Sequence, residues 1–358
     1  MLHFLSHSLV ATAALLATAA LAATTARPAS RAEDAKAGYL LTTFPVQDEA
    51  VYMRLSNGND AHSWRALSLN GRQDILRSDI STEGVRDTFV VPSQDGSQFW
   101  LTGTDLNVNA HEGDFNASTR FGSRSMLLWT SPDLVNWKGP SLTPALVNAS
   151  AGNVWAPEAY YDPLVKAYVV VFASRFWSDK DKDRTGPVPN NVLMYVTTQD
   201  FKSFSPAKTY FNPGYPVIDA TFLPMPEEGA NVWYRWVKSE VDFKVFQQRS
   251  TNGILGKWTN VGGAPDSTRI EFASQYSNNE GPLIFRDNVD RRKFHLWIDE
   301  NTLNTYIPAT ATTLNDMAAW KADSRDGFPQ HIKHGKVLAV NQRQYDAILA
   351  KYQVVNGA

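Results

Sequence analysis

Short apolar runs set the rhythm of this chain. "YLLTTF", "AVYMRLS", "QFWLTGT", "SMLLWTS", "AYVVVFAS", "NVLMYVTT", "VWYRWVK", "FKVFQQRS" and "KFHLWIDE" are rich in β-branched and aromatic residues, and Gly, Pro, Asn, Asp or Ser punctuates the chain between them. Runs of this length and composition predict strands. Helical spacing of apolar positions is scarce, and its best stretch is the tail, "NQRQYDAILAKYQ". The pattern predicts an all-β protein with a short C-terminal helix.

A second pattern lies over the first. "LSNGNDAHSW", "TSPDLVNW", "TTQDFKSF" and "RSTNGILGKW" each run from Ser or Thr through a polar turn to an aromatic, at Trp64, Trp137, Phe204 and Trp258. Their spacing of roughly 55 to 75 residues is long for a four-stranded propeller blade but workable with insertions. A polar turn before an aromatic strand fits the hairpin between the outer strands of a blade. With a fifth blade beginning near Glu280, the chain is predicted to be a five-bladed β-propeller, whose radial repetition leaves only short edges. A jelly roll or two-sheet sandwich is the alternative.

Three carboxylates interrupt apolar runs: Asp87 in "GVRDTFVV", Asp219 in "VIDATF" and Glu280 in "NNEGPLIF". A carboxylate buried there costs free energy unless it is paired, hydrogen-bonded or protonated. In a propeller the innermost strand of every blade faces the axis, so acids at equivalent positions converge at one end of it. Convergent carboxylates suit glycoside hydrolysis. One protonated acid donates to the leaving oxygen and one carboxylate activates water, about 6.5–9.5 Å away in an inverting enzyme. A third raises the pKa of the acid by like-charge repulsion. The plainer reading makes the three turn-formers or outward-facing charges.

Composition narrows the field. Hydrophobic residues make up 43% and charged residues 20%, enough apolar material for a folded core. A net charge of −2 with no long basic run disfavours a nucleic-acid partner. Eleven Trp, thirteen Tyr and eighteen Phe suit strands, and some of them suit sugar platforms. The absence of cysteine excludes disulfides and thiol catalysis. At the N-terminus, the apolar "SLVATAALLATAALA" ends on an A-x-A site at Ala20–Ala22. It reads as a signal peptide over residues 1–22, too short and alanine-rich for a membrane span. A polar leader over 23–36 and a catalytic propeller over 37–358 follow. A secreted, extracellular monomer with no membrane attachment after signal removal is expected. "NAS" at Asn116 and Asn148 offers two glycosylation acceptors. Two long loops, "NVNAHEGDFNASTRFGS" and "RFWSDKDKDRTGPVPNN", can build rims; the second reads as either a mobile flap or a solvated loop.

At this point the strings carry a likeness. "GVRDTFVV" followed by "DGSQFWLTGTDL", "WAPEAYYDP", "YPVIDATF", and "NNEGPLIF" followed by "KFHLWID" resemble glycoside hydrolase family 43, from about Gly38 to near Tyr345. The resemblance implies a five-bladed propeller that cleaves arabinose- or xylose-containing polysaccharides by inversion. It makes Asp87 the general base, Asp219 the modulator of the acid's pKa, and Glu280 the general acid, aimed by Gly281 and Pro282. The family usually has Pro after the first Asp, where this chain has Thr88. Trp155 in "WAPE" becomes a pocket wall, and Glu158 either bonds a sugar hydroxyl or braces its turn. Arg86 and Lys238 are candidates to contact substrate or neutralise the acids, and Phe89 and Tyr276 are pocket candidates. Family members hold a cation or water on the axis near a His. His334 is therefore a water-mediated metal candidate, with a structural Ca2+ on the axis and no cofactor required for the chemistry. The nearest branch is arabinofuranosidase-like. The expectation is an exo-acting α-L-arabinofuranosidase releasing L-arabinose from plant cell-wall polysaccharide. A β-xylosidase, an endo-arabinanase, or a glycan-binding propeller without activity are the alternatives.

Overall fold

Each polar-turn string lies at the outer edge of a sheet. In a computed structural model, whose described residues are 35–266 and 268–355, five antiparallel sheets form the blades of a propeller. The predicted signal peptide and nearly all of the predicted leader lie outside the described residues. Blade 2 runs outward through Val85–Pro92, Phe99–Asp105, Met126–Ser131 and Lys138–Leu142. Blade 3 uses Trp155–Asp162, Ala167–Ser174, Val192–Thr198 and Lys208–Phe211. Blade 4 uses Val217–Pro224, Trp233–Ser239, Lys244–Ser250 and Trp258–Asn260, and blade 5 uses Asn279–Arg286, Phe294–Glu300, Thr305–Ala311 and Lys321–Ala322. The string before Trp320, "ATTLNDMAAW", is a fifth copy of the outer turn, in blade 5.

Blade 1 is assembled from both ends of the fold. Lys36–Phe44, Val51–Asn57 and Asp60–Ser68 form three of its strands, and Lys333–Asn341 pairs antiparallel with Lys36–Phe44 on the axial side. This closing strand packs against the inner strands of blades 2 and 5, completing the ring. The expected tail helix is Gln342–Lys351. It starts on a capping box in which Asn341 and Gln344 bond each other's backbone N–H at 3.0 Å, satisfying two otherwise unpaired donors. Its Ile348 is fully buried, and the Tyr345 hydroxyl donates to the Ser56 carbonyl at 2.9 Å, so the helix docks on blade 1.

Apolar side chains between blades form the cores. Trp129, Phe172, Trp236 and Trp297 are among the largest fully buried groups. Among the described residues no helix is long and apolar enough to cross a membrane.

Candidate active site

The five inner strands share one irregularity. In blade 2 Arg86 pairs with Thr104 and Phe89 with Thr102, so Asp87 and Thr88 oppose a single residue. The pairing skips in the same way at Ala156–Pro157, at Gly281–Pro282, and at His334–Gly335 of the closing strand, while in blade 4 Asp219 is the extra residue. These are β-bulges, which bend a strand and re-aim its side chains. Asp87, Ala156, Asp219 and Gly281 all take positive φ there, at 52°, 49°, 51° and 46°. Three of the four are non-glycine residues, in a conformation their side chains ordinarily avoid. The buried-carboxylate question thus has a structural answer: the bulge turns the acid out of its strand's packing and toward the hub.

The bulges frame a cavity of about 500 Å³ whose walls include Asp87, Asp219 and Glu280. Trp155, Arg86, Lys238 and His334 line it too. Of the remaining candidates, Phe89 lies deeper in the hub, 2% exposed, with its ring edge-on to Tyr160 and facing the Lys336 ammonium. Two residues past its bulge, it faces the core instead of the cavity. Tyr276 packs against the apolar core between blades 4 and 5, away from the cavity, because its loop turns it inward. Glu158 is buried below the cavity, accepts the Tyr160 hydroxyl and faces His334 Nε2 at 3.9 Å. It braces the hub.

Sequence reasoning missed several lining residues: Phe44, Phe115, Arg175, Glu240, Phe243, Asp299 and Lys333. Asp299 sits in "HLWIDE", a carboxylate in an apolar run, which is the signal that singled out Asp219. Buried Glu49 was missed as well. It accepts from Arg86 at 2.7 Å and from the backbone of Val108 and Asn109, anchoring the first rim loop. That loop brings Phe115 edge-on to Trp155, 6.2 Å between centroids, and Arg86 lies against the rings of Phe44 and Phe115. The charged second loop is tied to the first: Arg120 donates to the Gly186 carbonyl at 2.9 Å, and Arg184 to the Arg120 carbonyl.

The acids are interleaved with cations. Lys238 and Lys333 donate to the two oxygens of Glu280 at 3.1 and 3.0 Å. Lys333 also lies 2.8 Å from Asp299. Burial opposes ionisation of Glu280, but the two lysines outweigh it and hold its carboxyl down at about 2. Asp219 behaves oppositely. Burial, helped by the Glu280 and Asp87 charges, outweighs His334 and Lys238 and lifts it to about 6. Its Oδ2 accepts the Gly281 N–H at 3.0 Å. Asp299 is likewise lifted by burial to about 6. At Asp87 burial is overcome by His334, 3.4 Å away, with help from Arg86 and the Thr104 hydroxyl, so the group stays below the usual carboxylate range. His334 is itself held well above its usual range: burial opposes the charge, and the surrounding Asp87, Glu158 and Asp219 win. The acids are thus paired with cations, Lys238, a candidate for that part, and Lys333 beside it, and burial raises Asp219 while the lysines hold Glu280 down.

The axis carries the chain's own cations. Both ring nitrogens of His334 face carboxylates, Nδ1 toward Asp87 and Asp219 and Nε2 toward Glu158. Two residues deeper on the same strand, the Lys336 ammonium lies 4.6 Å from the Phe89 ring and 5.3 Å from that of Tyr160. A calcium ion seeks six to eight oxygens. A charged imidazole and an ammonium beside it do not suit such an ion.

Comparison with known proteins places the chain in a family. The family model described as "Probable glycosyl hydrolase domain", of the glycosyl hydrolase 43-related type, matches residues 34–346. An alpha-L-arabinofuranosidase of Bifidobacterium longum subsp. longum is 32% identical over 216 residues, covering 57% of this chain and 20% of that protein. The chain thus spans about a fifth of the length of this curated relative. Among solved structures, an exo-beta-1,3-galactanase from Clostridium thermocellum is 12% identical with a TM-score of 0.48, over 72% of this chain and 51% of the other. An endo-arabinase from Bacteroides thetaiotaomicron is 16% identical with a TM-score of 0.44, over 67% and 79%.

Proposed function

The chain belongs to the glycosyl hydrolase 43-related family, and from that membership we propose that it is a secreted, inverting, exo-acting α-L-arabinofuranosidase acting on arabinose-containing plant polysaccharide. The observation that carries the reading is the meeting of Asp87, Asp219 and Glu280 on the wall of one cavity at the hub. The name of the Bifidobacterium relative supports the choice of sugar.

In this reading a terminal arabinose enters the cavity past its aromatic lining of Phe44, Phe115, Trp155 and Phe243. Asp87, kept ionised by His334, takes a proton from water as the water attacks the anomeric carbon. Glu280 protonates the departing oxygen. Asp219 orients the site through the Gly281 N–H. Inversion follows because water and leaving group lie on opposite faces of the ring.

The ion pairs favour a second assignment of the proton donor. Glu280 is clamped by two lysines, whereas Asp219 is raised to about 6 and so carries a proton in mildly acid solution. Asp219 is then the donor and Glu280 a fixed anion that holds Lys238 and Lys333 in place. Both assignments keep Asp87 as base, and no step in either passes through a metal. The axis is taken to be held by His334 and Lys336 in place of a Ca2+. Secretion and a monomeric state belong to the same proposal. Asn116 and Asn148 are both exposed, as glycosylation requires.

Product analysis by NMR on aryl α-L-arabinofuranosides, aryl β-D-xylosides and debranched arabinan tests the proposal. The expected result is release of arabinose whose first-formed anomer is inverted. Cleavage of the xyloside alone, or of arabinan into oligomers, would replace the sugar or the mode of action. No product from any of the three would overturn the reading.

A further inference from the structure

One histidine of this fold is buried with half of its ring unpartnered. His295, on the second strand of blade 5, is 0% exposed and stacks on Phe285, with centroids 4.7 Å apart. Its Nε2 lies 2.9 Å from Asp287 Oδ2. An ionised carboxylate only accepts, so this contact places the ring proton on Nε2 and leaves Nδ1 a bare lone pair. Nδ1 is buried with no hydrogen-bond partner. A buried acceptor left this way is costly and calls for an occupant.

Two further ligand-type side chains stand beside it. His62 comes from the outer region of blade 1, and Asp323 follows the edge strand of blade 5. One ring nitrogen of each histidine and one carboxylate oxygen of Asp323 lie within 4.8 Å of one another. His62 Nε2 is 3.0 Å from Asp323 Oδ2, and the Thr310 hydroxyl donates to Asp323 Oδ1 at 3.0 Å. The side chains of His62 and Asp323 are 30% and 20% exposed, which leaves a path for an ion and a water. None of the three residues lines the sugar cavity.

The donor set decides the class of ligand. Two imidazoles and a carboxylate form a borderline-soft triad that suits zinc and its neighbours and suits calcium or magnesium poorly. A carboxylate on the far nitrogen of a ligating histidine is the usual outer partner of such an ion, and Asp287 supplies it. The geometry points to a divalent transition-metal site, zinc by donor class, built from His62, His295 and Asp323 across the seam between blades 5 and 1, with water as fourth ligand. Because binding joins two blades that meet at the ring closure, it stabilises the folded chain by mass action.

The test uses the full chain, free of any affinity tag, stripped with chelator and titrated with zinc chloride alone. Calorimetry is expected to show one zinc per chain, and the Tm to rise with zinc concentration. Cobalt in place of zinc is expected to give visible absorption bands of a four-coordinate nitrogen–oxygen site. His295 is fully buried, so its replacement risks unfolding. The partly exposed pair is therefore changed instead, and His62→Ala with Asp323→Asn abolishes both the stoichiometric binding and the zinc-dependent Tm. Asp287→Asn, which touches no ion directly, weakens binding about 10–100-fold. Absence of stoichiometric zinc in the wild-type chain, or unchanged binding in the double variant, overturns the site.

Discussion

Two levels of the hub, two residues apart along each inner strand, obey different rules. At the mouth, Asp87, Asp219 and Gly281 sit on bulges with positive φ, and charges of both signs crowd one cavity. Two residues deeper, Phe89, Thr221 and Leu283 are almost fully buried, and Phe89 and Leu283 are back in regular antiparallel pairing. The difference teaches where the fold tolerates strain. A left-handed residue is unfavourable by about 1–3 kcal/mol and persists only where its surroundings over-determine it. Here the deeper level supplies that constraint, and the mouth uses it to present carboxylates that strand packing would otherwise bury.

The contrast breaks most sharply at the acids themselves. Asp87→Asn and Glu280→Gln are each expected to lower kcat on an aryl arabinofuranoside by about 10²–10⁴, with circular dichroism unchanged. A purified Glu280→Gln chain turning over at the wild-type rate would leave Asp219 as the donor.

Next comes the turn that aims them. A Cβ on Gly281 would meet His334 Cγ at 2.9 Å, and φ there is 46°. Gly281→Ala should cost about 1–3 kcal/mol in denaturant unfolding and lower turnover as well. An unchanged midpoint would show that the bulge relaxes freely.

Proton inventory sharpens the comparison further. Asp87, held below the usual carboxylate range by His334, stays ionised across the neutral and mildly acid range and adds no limb there, whereas a donor at about 6 loses its proton as pH rises. If Asp219 donates, kcat/KM falls about tenfold per unit above pH 6, and Asp219→Asn removes that limb along with most of the activity. If Glu280 donates, Asp219→Asn keeps a pH profile with the limb displaced. The smallest effect on catalysis belongs to the deep level: Phe89→Leu should lower stability in denaturant unfolding, through lost ring contacts with Tyr160 and Lys336, and leave KM unchanged.

Much of this was legible in the sequence because it rests on period and punctuation. The strands, four of the five outer turns, and the meeting of Asp87, Asp219 and Glu280 at one hub follow from alternation and polar breaks, but Glu280 stands one residue before its bulge, where Gly281 takes the position that Asp87 and Asp219 hold in theirs. The closing strand was harder to see: "KHGKVLAV" is split by Gly335 and carries Lys333, His334 and Lys336, so it is absent from the strands predicted from apolar runs. It is a strand because Thr42 approaches so closely that a Cβ on Gly335 would meet the Thr42 carbonyl oxygen at 1.9 Å. With it came Lys333, the cation that changes the electrostatics of Glu280. No spacing rule connects residue 333 to residue 280, because their meeting depends on the ring closing. Glu158 shows the same limit from the other side. Its motif was visible, but whether it faces sugar or hub depends on which side of a bulge it falls.

That closure also has a bearing on synthesis. Blade 1 borrows its axial strand from residues 333–341, which carry Lys333 and His334. A nascent chain can therefore stack four blades on the ribosome while the cavity at its hub still lacks two of its charges. The cavity is complete only when the closing strand Lys333–Asn341 emerges and pairs with Lys36–Phe44.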